Sequence, residues 1–138
     1  MVNTFVRRDF LAATGAGLTC SIFPSFGIAA PSEQFLKSFR TLVGGRTLSK
    51  SKVVLDIPKI AENGSQVLIG ISVESPMTEE SFVKTLHLLA DENPTPEVAT
   101  FHFAPQSGRA EINIQFRLAN SQTVVAVAEL NDGSLYMD

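Results

Sequence analysis

His87 and His102 are the only two histidines in the chain, and they flank a loop, Asp91–Glu97, that carries Pro94 and Pro96. If the segments on either side pair as a hairpin, both imidazoles come close together on the face opposite the main apolar stripe. Two imidazoles so placed could bind a metal or exchange a proton. No third ligand stands at a recognisable spacing, so the same residues also fit two solvent-facing strand positions beside a partner surface. Glu79-Glu80 offers paired carboxylates, but consecutive residues at a loop or helix start face apart, and acids there suit the helix dipole. No serine sits in a Gly-x-Ser-x-Gly setting, and no glycine-rich phosphate loop follows a strand. Arg109 and Arg117 read most simply as outer-face or rim charges. The residues thus give no catalytic, cofactor or metal site, and they favour a binding protein over an enzyme.

The elements that would hold these residues are mostly strands. Pro31 to about Val43 reads as a short helix: Ser32 can cap it, Glu33 sits in its first turn, and Phe35, Leu36, Phe39 and Leu42 fall on one face. Gly44-Gly45 ends it. From Val53 the apolar period becomes two. Val53, Leu55 and Ile57 alternate with Val54, Asp56 and Pro58, and Asn63-Gly64 signals a tight turn. Gln66–Glu74, Phe82–Ala90, Val98–Phe103, Ala110–Leu118 and Thr123–Leu130 follow as strands. Ser75–Glu80 is a loop with room for one helical turn capped by Thr78. Asn131-Asp132-Gly133 turns the chain into a last strand begun by Ser134–Met137. Seven strand-like segments at short spacing predict an all-β fold: an immunoglobulin-like antiparallel β-sandwich preceded by a short helix. A final strand interrupted at Asp138 would leave a neighbouring edge unpaired.

Ahead of this domain lies an export address. Arg7-Arg8-Asp9-Phe10-Leu11 precedes a mildly apolar stretch, Leu11–Ile28, loosened by Thr14, Gly15 and Gly17, as in a twin-arginine signal. Pro24, Ser21 and Ser25 interrupt it, so a membrane anchor is a poor fit. Cleavage before Ala30 divides the chain into a signal, residues 1–29, and one domain, residues 30–138. The expected destination is the periplasm. The net charge of −3 across 138 residues argues against nucleic acid or an anionic membrane as partner. Cys20 is the only cysteine and falls inside the signal, so no disulfide can stabilise the domain. The hydrophobic content of 44% in so small a domain suggests a face covered by a second chain.

Several ordered segments together resemble the SoxY family. They are Arg7-Arg8-Asp9-Phe10-Leu11, Asp56-Ile57-Pro58-Lys59-Ile60-Ala61-Glu62-Asn63-Gly64, Val73-Glu74-Ser75-Pro76-Met77-Thr78, the run from Asp91 to Phe103, Ser107-Gly108-Arg109-Ala110-Glu111, and Val124-Val125-Ala126-Val127-Ala128-Glu129. The likeness runs from about Arg7 to Met137. It implies a sulfur-carrying, non-enzymatic subunit of periplasmic thiosulfate oxidation, with an immunoglobulin-like sandwich paired to a second sandwich subunit, SoxZ. Other enzymes of the Sox system would be transient partners. It also implies a flexible C-terminal arm ending in Gly-Gly-Cys-Gly-Gly, whose thiol holds the sulfur intermediate.

In this sequence the carrier cysteine has no counterpart, and Cys20 cannot replace it. No carrier residue is therefore assigned; Arg7 and Arg8 of the export signal are the functional residues named. Either the sequence is a fragment of a carrier, or it is an armless relative that keeps the sandwich and acts as a periplasmic interaction module.

Overall fold

The computed structural model describes residues 30–58, 65–118 and 120–138. Its elements run in the order α1 (Glu33–Val43), β1 (Leu48–Ser49), β2 (Val53–Asp56), β3 (Val67–Val73), β4 (Val83–Ala90), β5 (Glu97–His102), β6 (Ala110–Phe116), β7 (Val124–Leu130) and β8 (Leu135–Met137), with one 3-10 turn at Pro105–Ser107. The strands form two sheets, a five-stranded one in the order β1-β8-β7-β4-β5 and a three-stranded one in the order β2-β3-β6. The Asn63-Gly64 turn and the export segment with Arg7, Arg8 and Cys20 lie outside the described residues.

Alternation builds the space between the sheets. On β3, Val67, Ile69, Ile71 and Val73 are buried, whereas Leu68 and Ser72 face outward. On β4, Leu86, Leu88 and Ala90 enter the same core, where Ala126 and Ala128 of β7 meet them. The small alanines leave room in this shared core for the larger side chains of β3 and β4.

A second core lies on the other face of the larger sheet. There α1 lays Phe35, Leu36, Phe39, Leu42 and Val43 against Leu89, Val125, Val127, Leu135 and Met137. This explains why β7 is buried at nearly every position, the pattern of a strand covered on both faces. The helix starts where the sequence predicts. The Ser32 hydroxyl accepts from the Phe35 N–H at 3.2 Å, and Gly44, at φ 59°, closes the far end with its N–H on the Arg40 carbonyl. Left-handed backbone of that kind favours glycine. Arg46 then donates to the Leu42 carbonyl at 3.0 Å and pairs with Glu129 of β7 at 3.2 Å.

Two features differ from the sequence-based expectation. Leu48–Ser49 forms a strand that alternation did not signal, because two residues are too few to show a period. It lies parallel to β8, matching Leu48 with Leu135 and Ser49 with Tyr136, beside otherwise antiparallel pairings. The last strand is accordingly flanked on both sides, by β1 and by β7, over these residues. Its end is fixed as well: Asp138 exchanges main-chain hydrogen bonds of 3.0 Å with Ala126, and its carboxylate accepts from the Leu55 N–H at 2.9 Å. That bond joins the two sheets. The Ser75–Glu80 segment makes a turn closed by Thr78 and Ser81, not a helix.

Leu88 is fully buried in the inter-sheet core. Leu88→Ala is expected to cost about 2–5 kcal/mol of unfolding free energy, read as a lowered urea midpoint with an unchanged slope.

Candidate functional site

The hairpin of β4 and β5 places the two histidines on one face but not opposite each other. His87 faces Thr100, and His102 faces Thr85, so the rings are diagonal neighbours on the outer face of the larger sheet. His102 is exposed, whereas His87 sits in a hydrogen-bonded group. Its Nδ1 lies 3.1 Å from Thr100 Oγ1 and 3.3 Å from Glu97 Oε1. The Thr100 hydroxyl donates to the same carboxylate oxygen at 2.7 Å.

A register shift between Leu88 and Leu89 builds this group. Glu97 and Thr100 are three apart and would face opposite ways in a regular strand. The pairing passes from Leu88–Ala99 to Leu89–Glu97, so Val98 is the extra residue and both polar side chains share the outer face. Alternation from Val98 onward therefore missed Glu97. A polar residue at each end of a short run beside prolines was the only available signal. Val98 itself packs against the inter-sheet core.

Hydrogen bonding explains the electrostatics of the group. The Thr100 hydroxyl, and secondarily His87, hold the Glu97 carboxyl below the usual glutamate range against an opposing desolvation. With Nδ1 engaged, the imidazole is oriented as a fixed strut between β4 and the edge strand β5. Among the described residues no three His, Cys, Asp or Glu side chains converge as metal ligands, and His87 with His102 and Glu97 does not form such a set.

The remaining candidates are dispersed. Glu79, Glu80, Arg109 and Arg117 are all exposed. The Glu80 carboxyl is held below its usual range by its own backbone N–H and by Thr78, a local turn interaction. An open polar cleft lies at the start of α1, lined by Ala30, Ser32, Gln34, Asp91, Glu92 and Asn93. Its groups are largely committed to docking the helix: Asp91 Oδ1 accepts from the Ser32 N–H at 2.7 Å, and the Asp91 carbonyl accepts from the Ser32 hydroxyl at 3.1 Å. Gln122 accepts from the Glu92 N–H and donates to Asn93. No helix of the described residues is long and apolar enough to cross a membrane.

Residues 39–138 match the family model for the sulfur oxidation protein SoxY. The chain belongs to the SoxY family. Among solved structures it is similar to the sulfur carrier protein SoxY from Chlorobium limicola f thiosulfatophilum, at 23% identity and a TM-score of 0.62, covering 76% of this chain and 90% of that one. The same fold recurs in a superoxide reductase (neelaredoxin) from Ignicoccus hospitalis, with 15% identity, a TM-score of 0.57 and coverage of 65% and 77%. A putative superoxide reductase from Thermotoga maritima gives 19%, 0.54, 67% and 88%. These likenesses concern the sandwich alone. No curated protein matches the chain. The all-β sandwich with one short helix expected from the sequence is the SoxY fold, and family membership supports a role in sulfur oxidation as a carrier protein.

The Glu97 group predicts an acid-side effect. A carboxyl whose folded pKa is depressed contributes stability above its unfolded pKa, and that contribution fades as pH falls through the folded value. Thr100→Val removes the largest cause, so the Glu97 titration followed by NMR should move up toward the ordinary glutamate range. The variant's loss of stability relative to wild type should shrink as the pH is taken below that range.

Proposed function

We propose that this chain is a SoxY-type subunit of periplasmic sulfur oxidation, exported through the twin-arginine pathway by Arg7 and Arg8, and acting in complex with a SoxZ-like subunit. The observation that carries this reading is the family match over residues 39–138. The likeness to a structure described as a sulfur carrier protein supports it. The sandwich serves as the docking body, and the group at His87 orients an edge strand without reacting.

The chemistry of such a carrier needs a thiol, because a sulfur atom can be handed on only if it forms a bond that a later nucleophile breaks. Residues 30–138 contain no cysteine. Sulfur loading then needs a thiol outside these residues, and the domain alone carries no sulfur. This lack favours a second reading, in which residues 30–138 act as an interaction module of the periplasm with no part in sulfur flux.

Three measurements test these readings. Replacing Arg7 and Arg8 together by lysine should abolish export, with the unprocessed chain retained in the cytoplasm; continued periplasmic accumulation overturns the twin-arginine assignment. Intact-mass spectrometry of the exported domain from cells grown on thiosulfate should show no sulfur adduct on residues 30–138, and an adduct there refutes the claim that the domain carries none. Co-expression with a SoxZ-like subunit should give a complex that co-purifies, whereas separate elution supports the interaction module.

A further inference from the structure

Met77 and Met137 are buried to the same degree, at 6% and 7% exposure, but their backbones differ. Met137 lies in β8, paired with Val127 of β7, and the next residue, Asp138, exchanges main-chain hydrogen bonds of 3.0 Å with Ala126. Met77 lies in the connection from β3 to β4, residues 74–82, which crosses from the smaller sheet to the larger. That connection closes one end of the space between the sheets. The φ of Met77 is 52°, left-handed backbone that residues other than glycine rarely adopt and that stores strain.

Little besides the Met77 side chain holds this connection down. At one end the Glu74 N–H donates to the Lys52 carbonyl at 2.7 Å. At the other, Asn131 Nδ2 donates to the Glu80 carbonyl and Asn131 Oδ1 accepts from the Phe82 N–H, both at 3.1 Å. Between these ties the hydrogen bonds of Ser75–Glu79 stay within the turn. The Met77 N–H donates to the Ser75 hydroxyl at 3.3 Å, and Thr78 and Ser81 bond each other. Met77 is the one buried residue of 74–82, and it sits among the apolar side chains of the inter-sheet core. The anchor is thus one thioether on a strained backbone.

We propose that Met77 is an oxidation site for peroxides, and that its sulfoxide releases residues 75–79 from the end of the sandwich. The sulfur lone pair forms an S–O bond as the peroxide O–O bond breaks. Hydroxide leaves and takes the proton of the transferred oxygen, giving water, so sulfur loses the two electrons that the peroxide gains. A sulfoxide is polar, and seating its oxygen among apolar side chains carries a cost that the thioether does not. Leaving the core also lets the backbone leave the left-handed region, so modification and release favour each other. Brief openings of the weakly tied turn expose Met77, whereas Met137 is exposed only when β8 detaches. Reduction of the sulfoxide reverses the change. The proposal is independent of the sulfur-oxidation reading, since it rests on one turn and its anchor.

The test treats the purified full chain with hydrogen peroxide and follows each methionine by peptide mass spectrometry. Met77 is expected to oxidise roughly tenfold faster than Met137 or more. A glutamate-specific protease under native conditions then reads the turn. The oxidised chain should be cut after Glu79 or Glu80 roughly tenfold faster than the untreated chain, with Glu111 and Glu129 in their strands still protected. Met77→Leu keeps an apolar anchor that does not oxidise, and peroxide should leave its cleavage rate unchanged. Methionine sulfoxide reductases acting on both epimers should restore slow cleavage of the oxidised wild type. Met137 oxidising as fast as Met77, cleavage indifferent to oxidation, or the same response to peroxide in Met77→Leu overturns the proposal. So does cleavage at Glu111 and Glu129 together with the turn, which would mean that the whole domain unfolds.

Discussion

Burial of β4 and β7 on both faces is the constraint on which the other elements depend. These strands are the centre of the larger sheet, and they meet the smaller sheet on one side and α1 on the other. Stripping both faces of water gives the largest apolar gain available to a domain of this size, but only if a layer covers each face. The smaller sheet supplies one cover and the helix the other. Residues 30–138 hold no cysteine, so this three-layer centre stands where a disulfide ties many other small domains.

The polar interactions follow from that arrangement. Ser32 and Asp91 hold the start of α1 to the loop after β4, while Arg46 holds its end to β7 through Glu129. The helix is clamped at both ends over the second core. At the opposite face, the Asp138 carboxylate on the Leu55 N–H ties β2 to the end of β8. Such bonds contribute modestly each, but leaving a buried partner unsatisfied costs more than the bond yields. They therefore specify which layer lies where. The edges are treated differently: β5 is braced by the His87–Thr100–Glu97 group, whereas β6 has charged and amide side chains along an edge that no described residue pairs.

Solved structures similar in fold are described as a sulfur carrier protein and as a superoxide reductase. The sandwich by itself therefore does not fix a function. The histidines illustrate this. Their placement on one face was readable from the hairpin, yet the bulge spends His87 on bracing an edge strand and leaves His102 exposed on the diagonal. His87, which suggested chemistry by residue type, braces an edge strand by geometry.

Much of the fold was legible because the signals are local. Ser32, Gly44 and the apolar spacing of Phe35, Leu36, Phe39 and Leu42 determined α1, and period-two alternation determined β3 and β6, whose faces differ sharply in environment. Alternation says less where both faces are apolar, so the sequence of β7 identified a strand but not what covers it. β1 was too short to show a period, and its parallel pairing with β8 depends on the chain between α1 and β2 crossing the sheet edge. The Val98 bulge, which brings Glu97 to Thr100 and His87, arises from pairing with β4. By itself, then, the sequence determined the helix, most strands and the family, because those rest on residue type and spacing along the chain. Only the tertiary structure decided the layer order, the role of His87 and the edge position of β6, because each depends on which distant backbone lies alongside.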